Sequence, residues 1–496
     1  MSAPVHATGI AVQGIKPVLY LTGLVLLATA AMMVFPMIVD IYYRHADWQA
    51  FAASAMLSVV IGGLLVRYSK KSLKSGLTLR QSFLLTPLSW VSVAAVSALP
   101  FFFSEYGTVS NSLVDAFFES VSGITTTGAT VISGLEHAPP GILLWRALLQ
   151  WMGGIGIIAT AIAILPALGI GGMQLFRTES SDRSEKAMPR VRQIAGTIAL
   201  VYVSLTILAF VVYWLAGMPP FDALAHAMSS IATGGYSTSD ASFAAWDENG
   251  IQWFATLFML SGTIPFVVYV RLIAGEGAAL WDRQVRTLLA FLAMVVAVVG
   301  LWLALSGQYA LEPAFRHAAF NVVSVVTTTG FASADYSLWG NWAVGLFFGL
   351  MFVGGCTGST SGGIKIFRFE VMALMLRAHF MRLLYPNGVF PSYYGERLID
   401  DEVIRSVVAF FAVFFLCYSL FTIALMGFGL DFLTSASGAA TALANVGPGL
   451  GGIIGPTGNF GSLPDGAKWL MSIGMLLGRL ELFTVLILFA PRFWRG

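Results

Sequence analysis

Four short tracts decide the fold of this chain: SGITTTGAT (122–130), SSIATGGYS (229–237), SVVTTTGFA (324–332) and TALANVGPG (441–449). They align on Gly128, Gly235, Gly330 and Gly447, with spacings of 107, 95 and 117 residues. Each tract ends a moderately apolar segment too short to cross a bilayer, near 113–127, 220–234, 313–329 and 432–446. Each segment lies between two longer apolar stretches, so the repeating unit is helix, re-entrant segment, helix. The first two units agree further upstream, where Asp115 and Asp222 each stand thirteen residues before their glycine. A lone Thr-Thr-Gly is an ordinary turn, and glycines also pack helix crossings. Four tracts in register between spans read instead as a repeat.

The composition puts those units in lipid. Charged residues make up 10% of the 496 residues and mean hydropathy is +0.80, whereas soluble domains carry about 25% charged residues. The balance of 27 Lys+Arg against 25 Asp+Glu leaves no basic face for nucleic acid. Cys356 and Cys417 both lie in apolar stretches, which argues against a disulfide framework. Stretches of about 20 apolar residues fall near 16–38, 50–67, 82–103, 141–166, 194–217, 250–273, 286–306, 340–376, 404–429 and 466–490. The first pair carries no re-entrant segment and stands outside the repeat. The expected organisation is a two-span extension (1–79) followed by four units, 80–176, 177–283, 284–400 and 401–496. The fold class expected is all-α integral membrane, with four pseudo-symmetric membrane–loop–membrane repeats around one pore.

Charge placement orients the chain. If the ten spans alternate, five basic segments fall on one side: Arg67 to Arg80, Arg177 to Arg192, Arg271 to Arg286, Lys365 to Arg405, and Arg492 with Arg495. With Lys16 they hold 22 of the 27 basic residues. The positive-inside rule makes that side cytoplasmic and puts both termini there.

Irregular backbone cannot face lipid, but it is tolerated where it lines a water-filled path. A dehydrating monovalent cation needs oxygen ligands, which rings of backbone carbonyls supply. Glycine opens conformations closed to other residues, Thr and Ser add hydroxyl oxygens, and the preceding short helix aims its partly negative C-terminus at the ion. The candidate ion-binding residues are Thr126, Thr127, Gly128, Thr233, Gly234, Gly235, Thr328, Thr329, Gly330, Asn445, Val446 and Gly447. Repeats two and four lack the Thr-Thr-Gly run, so the ring is expected to be asymmetric.

Two further features stand out. A continuous helix over 340–376 would be about 55 Å long, yet GGCTGSTSGG (354–363) holds five glycines in ten residues, each costing about 1 kcal/mol relative to Ala in a helix. The helix should break there and line a cavity. The alternative is a packing stripe, since Gly354, Gly358 and Gly362 keep small-xxx-small spacing. Arg479 lies mid-span within 466–490, where a charge costs at least about 2.5–3.5 kcal/mol. It should face a watery interior or carbonyls of the 354–363 loop. Glu481, two residues on, lies on another helical face and need not pair with it.

Other patterns carry less. GPGLGG (447–452) follows no strand of a βαβ unit, and GSTSGGIK has Ile364 where a phosphate loop needs lysine. The six histidines keep no metal-ligand spacing; His226 and His317 read as residues that satisfy loop backbone. Asp115 and Asp222 read as helix N-caps. No clustered nucleophile or metal constellation points to an enzyme. A sodium- or proton-coupled symporter with alternating access remains the alternative, although only Glu119 and Glu481 offer intramembrane carboxylates.

SGITTTGAT, SVVTTTGFA and ANVGPGLG resemble the filter loops of the Trk/Ktr/HKT superfamily of potassium transporters, as do GGCTGSTSGGIK (354–365) and GRLELFT (478–484). The likeness spans about 80–490, and the extra N-terminal pair resembles the TrkH-type membrane subunits of bacterial Trk uptake systems. The resemblance implies several things. Gly128 in the first tract goes with potassium preference, where serine goes with sodium permeation. The 354–363 segment is an intramembrane gating loop, with Gly354, Gly355, Thr357, Gly358, Gly362, Gly363, Lys365 and Arg479 as its candidate residues. The ion is potassium, with no organic cofactor in this chain. The subunit is a homodimer in the bacterial inner membrane, regulated by a separate TrkA-like cytosolic ring that binds nucleotide and docks on cytoplasmic segments such as 377–405.

Overall fold

The structure, a computed structural model, describes residues 12–70, 77–163, 187–246, 250–395 and 397–495. The expected cytoplasmic residues Lys71, Lys74, Arg177, Arg183 and Lys186 and the boundary at 176–177 lie outside the described residues. Helices α1 (Val12–Met32) and α2 (Val34–Tyr42) form one crossing and α3 (Trp48–Ser69) the next. Four units follow. The first holds α4 (Leu79–Ser97), α5 (Leu99–Phe103), α6 (Leu113–Ile124) and α7 (Pro140–Ala163). The second holds α8 (Ala187–Leu215), α9 (Pro220–Ile231), α10 (Ile251–Thr263) and α11 (Phe266–Ile273). The third holds α12 (Arg283–Leu305), α13 (Leu311–Val326), α14 (Asn341–Leu350) and α15 (Ile366–Leu384). The fourth holds α16 (Asp401–Gly427), α17 (Phe432–Ala444), α18 (Asp465–Arg479) and α19 (Leu482–Leu486).

Burial is ordered as lipid demands. The short helices α6, α9, α13 and α17 sit inside, and α17 is buried from Thr434 through Ala444. Leu200, Ile207, Met294, Leu416 and Ile423, on the long flanking helices, are exposed. Apolar side chains outside and backbone-rich loops inside invert the soluble pattern.

Of the ten expected spans, seven are helices long and apolar enough to cross a membrane, counted among the described residues. Two more are bent pairs, α10/α11 at 89° and α18/α19 at 110°. The tenth is the interrupted pair α14 and α15. Both bends correct the expectation of plain spans. At the first, Pro265 has no N–H to continue the ladder and forces Ile264 into an extended conformation. At the second, Glu481 takes a positive φ of 63°. Arg479 is therefore the last residue of a helix at a sharp corner, where the sequence places it mid-span.

The capping expectation also needs correction. Ser112, not Asp115, caps α6, its hydroxyl accepting the Asp115 N–H. Pro219 occupies the corresponding position of α9, where Asp222 instead accepts a hydrogen bond from the Thr238 hydroxyl at 2.7 Å. The Asp115 carboxylate reaches Lys468 of α18 at 2.6 Å, joining the first unit to the fourth. A two-residue hairpin, β1 (Tyr393–Tyr394) with β2 (Arg397–Leu398), interrupts the helical pattern between units three and four.

Candidate functional site

The four glycine tracts close into one ring. A Cβ placed on Gly128 would lie 2.2 Å from the Gly234 carbonyl oxygen, and one on Gly235 would lie 2.0 Å from that of Thr329. A Cβ on Gly330 would lie 2.2 Å from the Val446 oxygen, and one on Gly447 would lie 2.8 Å from that of Thr127. Each glycine thus faces the carbonyl just before the glycine of the next repeat, and the fourth returns to the first. All four glycines have φ between 83° and 111°. Positive φ and a carbonyl in the place of a side chain exclude other residues twice over.

The residue two before each glycine is bent the same way in every repeat. Thr126, Thr233, Thr328 and Asn445 have φ of 54°, 50°, 57° and 56°. The next residue donates its N–H five residues back: Thr127 to Ser122, Gly234 to Ser229, Thr329 to Ser324 and Val446 to Thr441, at 2.8–3.1 Å. This closes each short helix with the 6→1 bond that usually requires glycine at the left-handed position. A β-branched residue there is an outlier, costing about 1–3 kcal/mol. Three threonines held so, in register, mark a built feature whose helix ends aim at the ring.

Behind the ring, struts hold each tract. The position nine residues before the glycine carries Glu119, His226, Asn321 and Gly438. Glu119 accepts the Val131 N–H at 2.9 Å and the Thr130 hydroxyl. His226 bonds the Ser237 hydroxyl at 3.0 Å through Nε2 and its own helix carbonyl at Asp222 through Nδ1. Asn321 accepts the Ser333 N–H at 3.2 Å, and His317 bonds the same serine's hydroxyl. In the fourth repeat Gly438 offers nothing, and the Thr441 hydroxyl closes on both the N–H and the carbonyl of Gly447 at 2.9 Å. The expectation that the two histidines satisfy loop backbone is corrected here: these bonds go to the loop hydroxyls of Ser237 and Ser333 and, for His226, to its own helix carbonyl.

Helix α7 supplies residues that sequence reasoning missed. Arg146 donates to Glu119 at 2.8 Å, to the Ser237 carbonyl at 2.8 Å and to the Thr130 hydroxyl, and lies over the Tyr236 ring. Gln150 bonds the second tract. Gly153 packs so closely on the Ile124 carbonyl that a Cβ would stand 1.9 Å from it, as Gly262 does on Ile231 and Gly478 on Leu443. The signal was present as a stripe of Arg, Gln and Gly at helical spacing inside an apolar span.

The 354–365 segment crosses beneath the ring. Gly354 N–H bonds the Ile364 carbonyl at 2.9 Å, so the loop closes on itself. The Gly362 N–H donates to the Thr328 hydroxyl at 2.6 Å, and the Gly363 N–H to the Ala444 carbonyl at 2.8 Å. Thr360 donates its hydroxyl to the Ile231 and Gly262 carbonyls, and Thr357 N–H meets Gln284 at 3.0 Å. Gly355 N–H bonds the Ser361 hydroxyl. The Phe266 N–H, at the start of α11, bonds the Gly358 carbonyl at 3.0 Å. Lys365, buried, donates to the Ser361 carbonyl. Arg479 donates to the Thr360 carbonyl at 2.9 Å and to Gly153 at 3.5 Å. Glu481 turns away and pairs with Arg368 at 2.8 Å.

A cavity of about 210 Å³ opens on one side of the ring, lined by Gly128, Gly235, Gly330, Thr130, Ser237 and Asp240 among others. Asp240 and Glu136 clasp its rim reciprocally: Asp240 accepts the Gly134 and Leu135 N–H groups, and Glu136 accepts the Ser239 hydroxyl and the Asp240 N–H. The Ser239 hydrogen bond holds the Glu136 carboxyl below the usual carboxylate range. On the other side a cavity of about 20 Å³ lies among Ser361, Gly362, Lys365, Arg479 and Glu481. The described residues hold no cluster of three or more metal-ligating side chains. The chemistry on offer is coordination by the backbone and hydroxyl oxygens gathered at the ring.

Known proteins resemble this chain in sequence and in fold. Residues 47–495 match the TrkH cation transport protein family. The Trk system potassium uptake protein TrkI of Halomonas elongata is 48% identical over 97% of both chains. The Trk system potassium uptake protein TrkH of Escherichia coli is 36% identical over 96% of this chain and 98% of its own. The crystal structure of the potassium transporter TrkH from Vibrio parahaemolyticus superimposes with a TM-score of 0.88 at 35% identity, covering 97% of this chain and 99% of that one. The chain therefore belongs to the TrkH family of cation transport proteins.

Proposed function

We propose that this chain carries potassium inward across a bacterial inner membrane through the ring of four loops, which acts as its selectivity filter. The observation that carries the reading is the head-to-tail closure of the ring, in which each glycine abuts a carbonyl of the next repeat. Four carbonyls facing one axis, rigidly backed by struts, are what a dehydrated monovalent cation needs. The potassium named for relatives at 36–48% identity over nearly the whole chain supports the choice of ion. Each repeat contributes one tract, so the units 80–176, 177–283, 284–400 and 401–496 act as one wall each.

The 354–365 loop is the gate. It crosses the axis under the ring and ties three of the four tract-bearing helices by hydrogen bonds. Arg479 adds a cationic barrier and latches the loop at Thr360. Both termini are cytoplasmic, the protein works as a homodimer, and a TrkA-like nucleotide-binding ring acts on the loops that follow the gate. Coupled symport is less well supported, because Glu119 and Glu481 are each closed by an arginine at 2.8 Å and are poorly placed to exchange protons. Reversal potentials across proteoliposomes under separate potassium, sodium and pH gradients test the reading. Potentials that follow the potassium gradient alone support it; potentials that shift with the sodium or pH gradient overturn it in favour of coupling.

A further inference from the structure

We infer that Gln150 is a positioning residue that sets ion selectivity, taking over in the second repeat the work that threonines do in the first and third. The inference rests on the reading of the ring as the ion path. In repeats one and three, the residues three and one before the glycine are both threonine, and their hydroxyls bond each other: Thr125 with Thr127 at 2.8 Å and Thr327 with Thr329 at 2.7 Å. In repeat two the same positions are Ala232 and Gly234, which carry no hydroxyl. The space is filled by Gln150, which reaches in from α7 of the first unit. A Cβ on Gly234 would stand 2.4 Å from the Gln150 Cδ, so the glutamine and a threonine at 234 exclude one another.

Both ends of the carboxamide are used. Its Nε2 donates to the Gly234 carbonyl at 2.6 Å, the oxygen that faces Gly128 in the ring. Its Oε1 accepts the Ser229 hydroxyl and the Tyr236 N–H, gripping the tract on both sides of Gly235. One carbonyl of the ring is thus held by a side-chain donor that competes for its lone pairs and fixes its direction. Freed from that donor, the oxygen is a stronger and more mobile ligand, and both changes favour the smaller ion. Packing alone does not call for a glutamine. Counting three back from the glycines that press on the pore-helix carbonyls, the equivalent positions of repeats two and four are Met259 and Met475, both buried.

The test is reversal potentials in mixed potassium and sodium for the full chain carrying Gln150→Met, the side chain that two sister repeats already accept. The potassium-to-sodium permeability ratio should fall about tenfold, equivalent to about 1.4 kcal/mol. Trp151→Phe, which removes the indole bond to Thr206 on the outer side of the same helix, should leave the ratio unchanged. Gly234→Thr alone should abolish transport, and adding Gln150→Ala should restore flux, because the threonine then has its space, with a ratio still below wild type because the donor to the Gly234 carbonyl stays absent. A double variant without restored flux or with a wild-type ratio, or a Gln150→Met protein with less flux but a wild-type ratio, would overturn the inference. Gly128→Ser separates the two levels: if it shifts the ratio and Gln150→Met does not, the filter stands and the role of Gln150 falls. If neither shifts it, the filter reading itself fails.

Discussion

Gly128→Ser perturbs the ring directly. The residue has φ +85°, where a side chain costs about 1–2 kcal/mol. Its Cβ would stand 2.2 Å from the Gly234 oxygen, about 1 Å inside ordinary contact. Overpacking of that kind typically costs about 1–3 kcal/mol, so the total is about 2–5 kcal/mol. The pore helices and struts are locked, whereas the Gly234 carbonyl is at the tip of a loop, so relief comes from displacing that oxygen. Gln150 resists the displacement from behind, and the altered cage should lose much of its preference for the larger ion. Each 1.4 kcal/mol is tenfold, so a fall of at least tenfold in the potassium-to-sodium permeability ratio is expected in proteoliposome reversal potentials. An unchanged ratio, in protein recovered at wild-type yield, would refute the argument that these carbonyls select the ion.

Three further outcomes follow from the same geometry. On the proposed gating role of the loop, which Arg479 fastens at Thr360, deleting part of 356–362, or Arg479→Ala, should raise potassium flux; flux unchanged or lowered in both inserted variants would refute the gate. Arg146→Leu leaves the buried Glu119 carboxylate unpaired, a change that typically costs about 3–5 kcal/mol, and a thermal melt in detergent within 1 °C of wild type would contradict it. A soluble nucleotide-binding protein should co-purify from native membranes, and full nucleotide-responsive flux from the chain reconstituted alone would exclude such a partner.

The sequence makes the membrane setting and the fourfold register legible because both are written in composition and spacing. Aligning four glycines is enough to name the residues that meet in the ring, and five glycines in ten residues mark the break at 354–363. The bends are less visible. A hydropathy window averages through Pro265 and Glu481, since the apolar residues around each outweigh it. The sequence places Arg479 at mid-span for that reason, although its contact with a loop carbonyl agrees with the expectation. The struts at Glu119, His226 and Asn321 share a register with the glycines but not a residue type, so similarity does not reveal them. Gln150 is hidden more deeply: it acts on another repeat, and its trace in the sequence is the missing threonine at 234. The link between Lys468 and Asp115 spans 353 positions and closes the ring where the chain does not; no local pattern encodes it.

The most direct test of the central claim is a crystal structure of the protein soaked in rubidium or thallium, read by anomalous difference density. The account predicts density on the axis of the ring, within coordination distance of the carbonyl oxygens of Thr127, Gly234, Thr329 and Val446. A transport-competent protein whose anomalous density avoids that axis and collects elsewhere in the membrane region would contradict it.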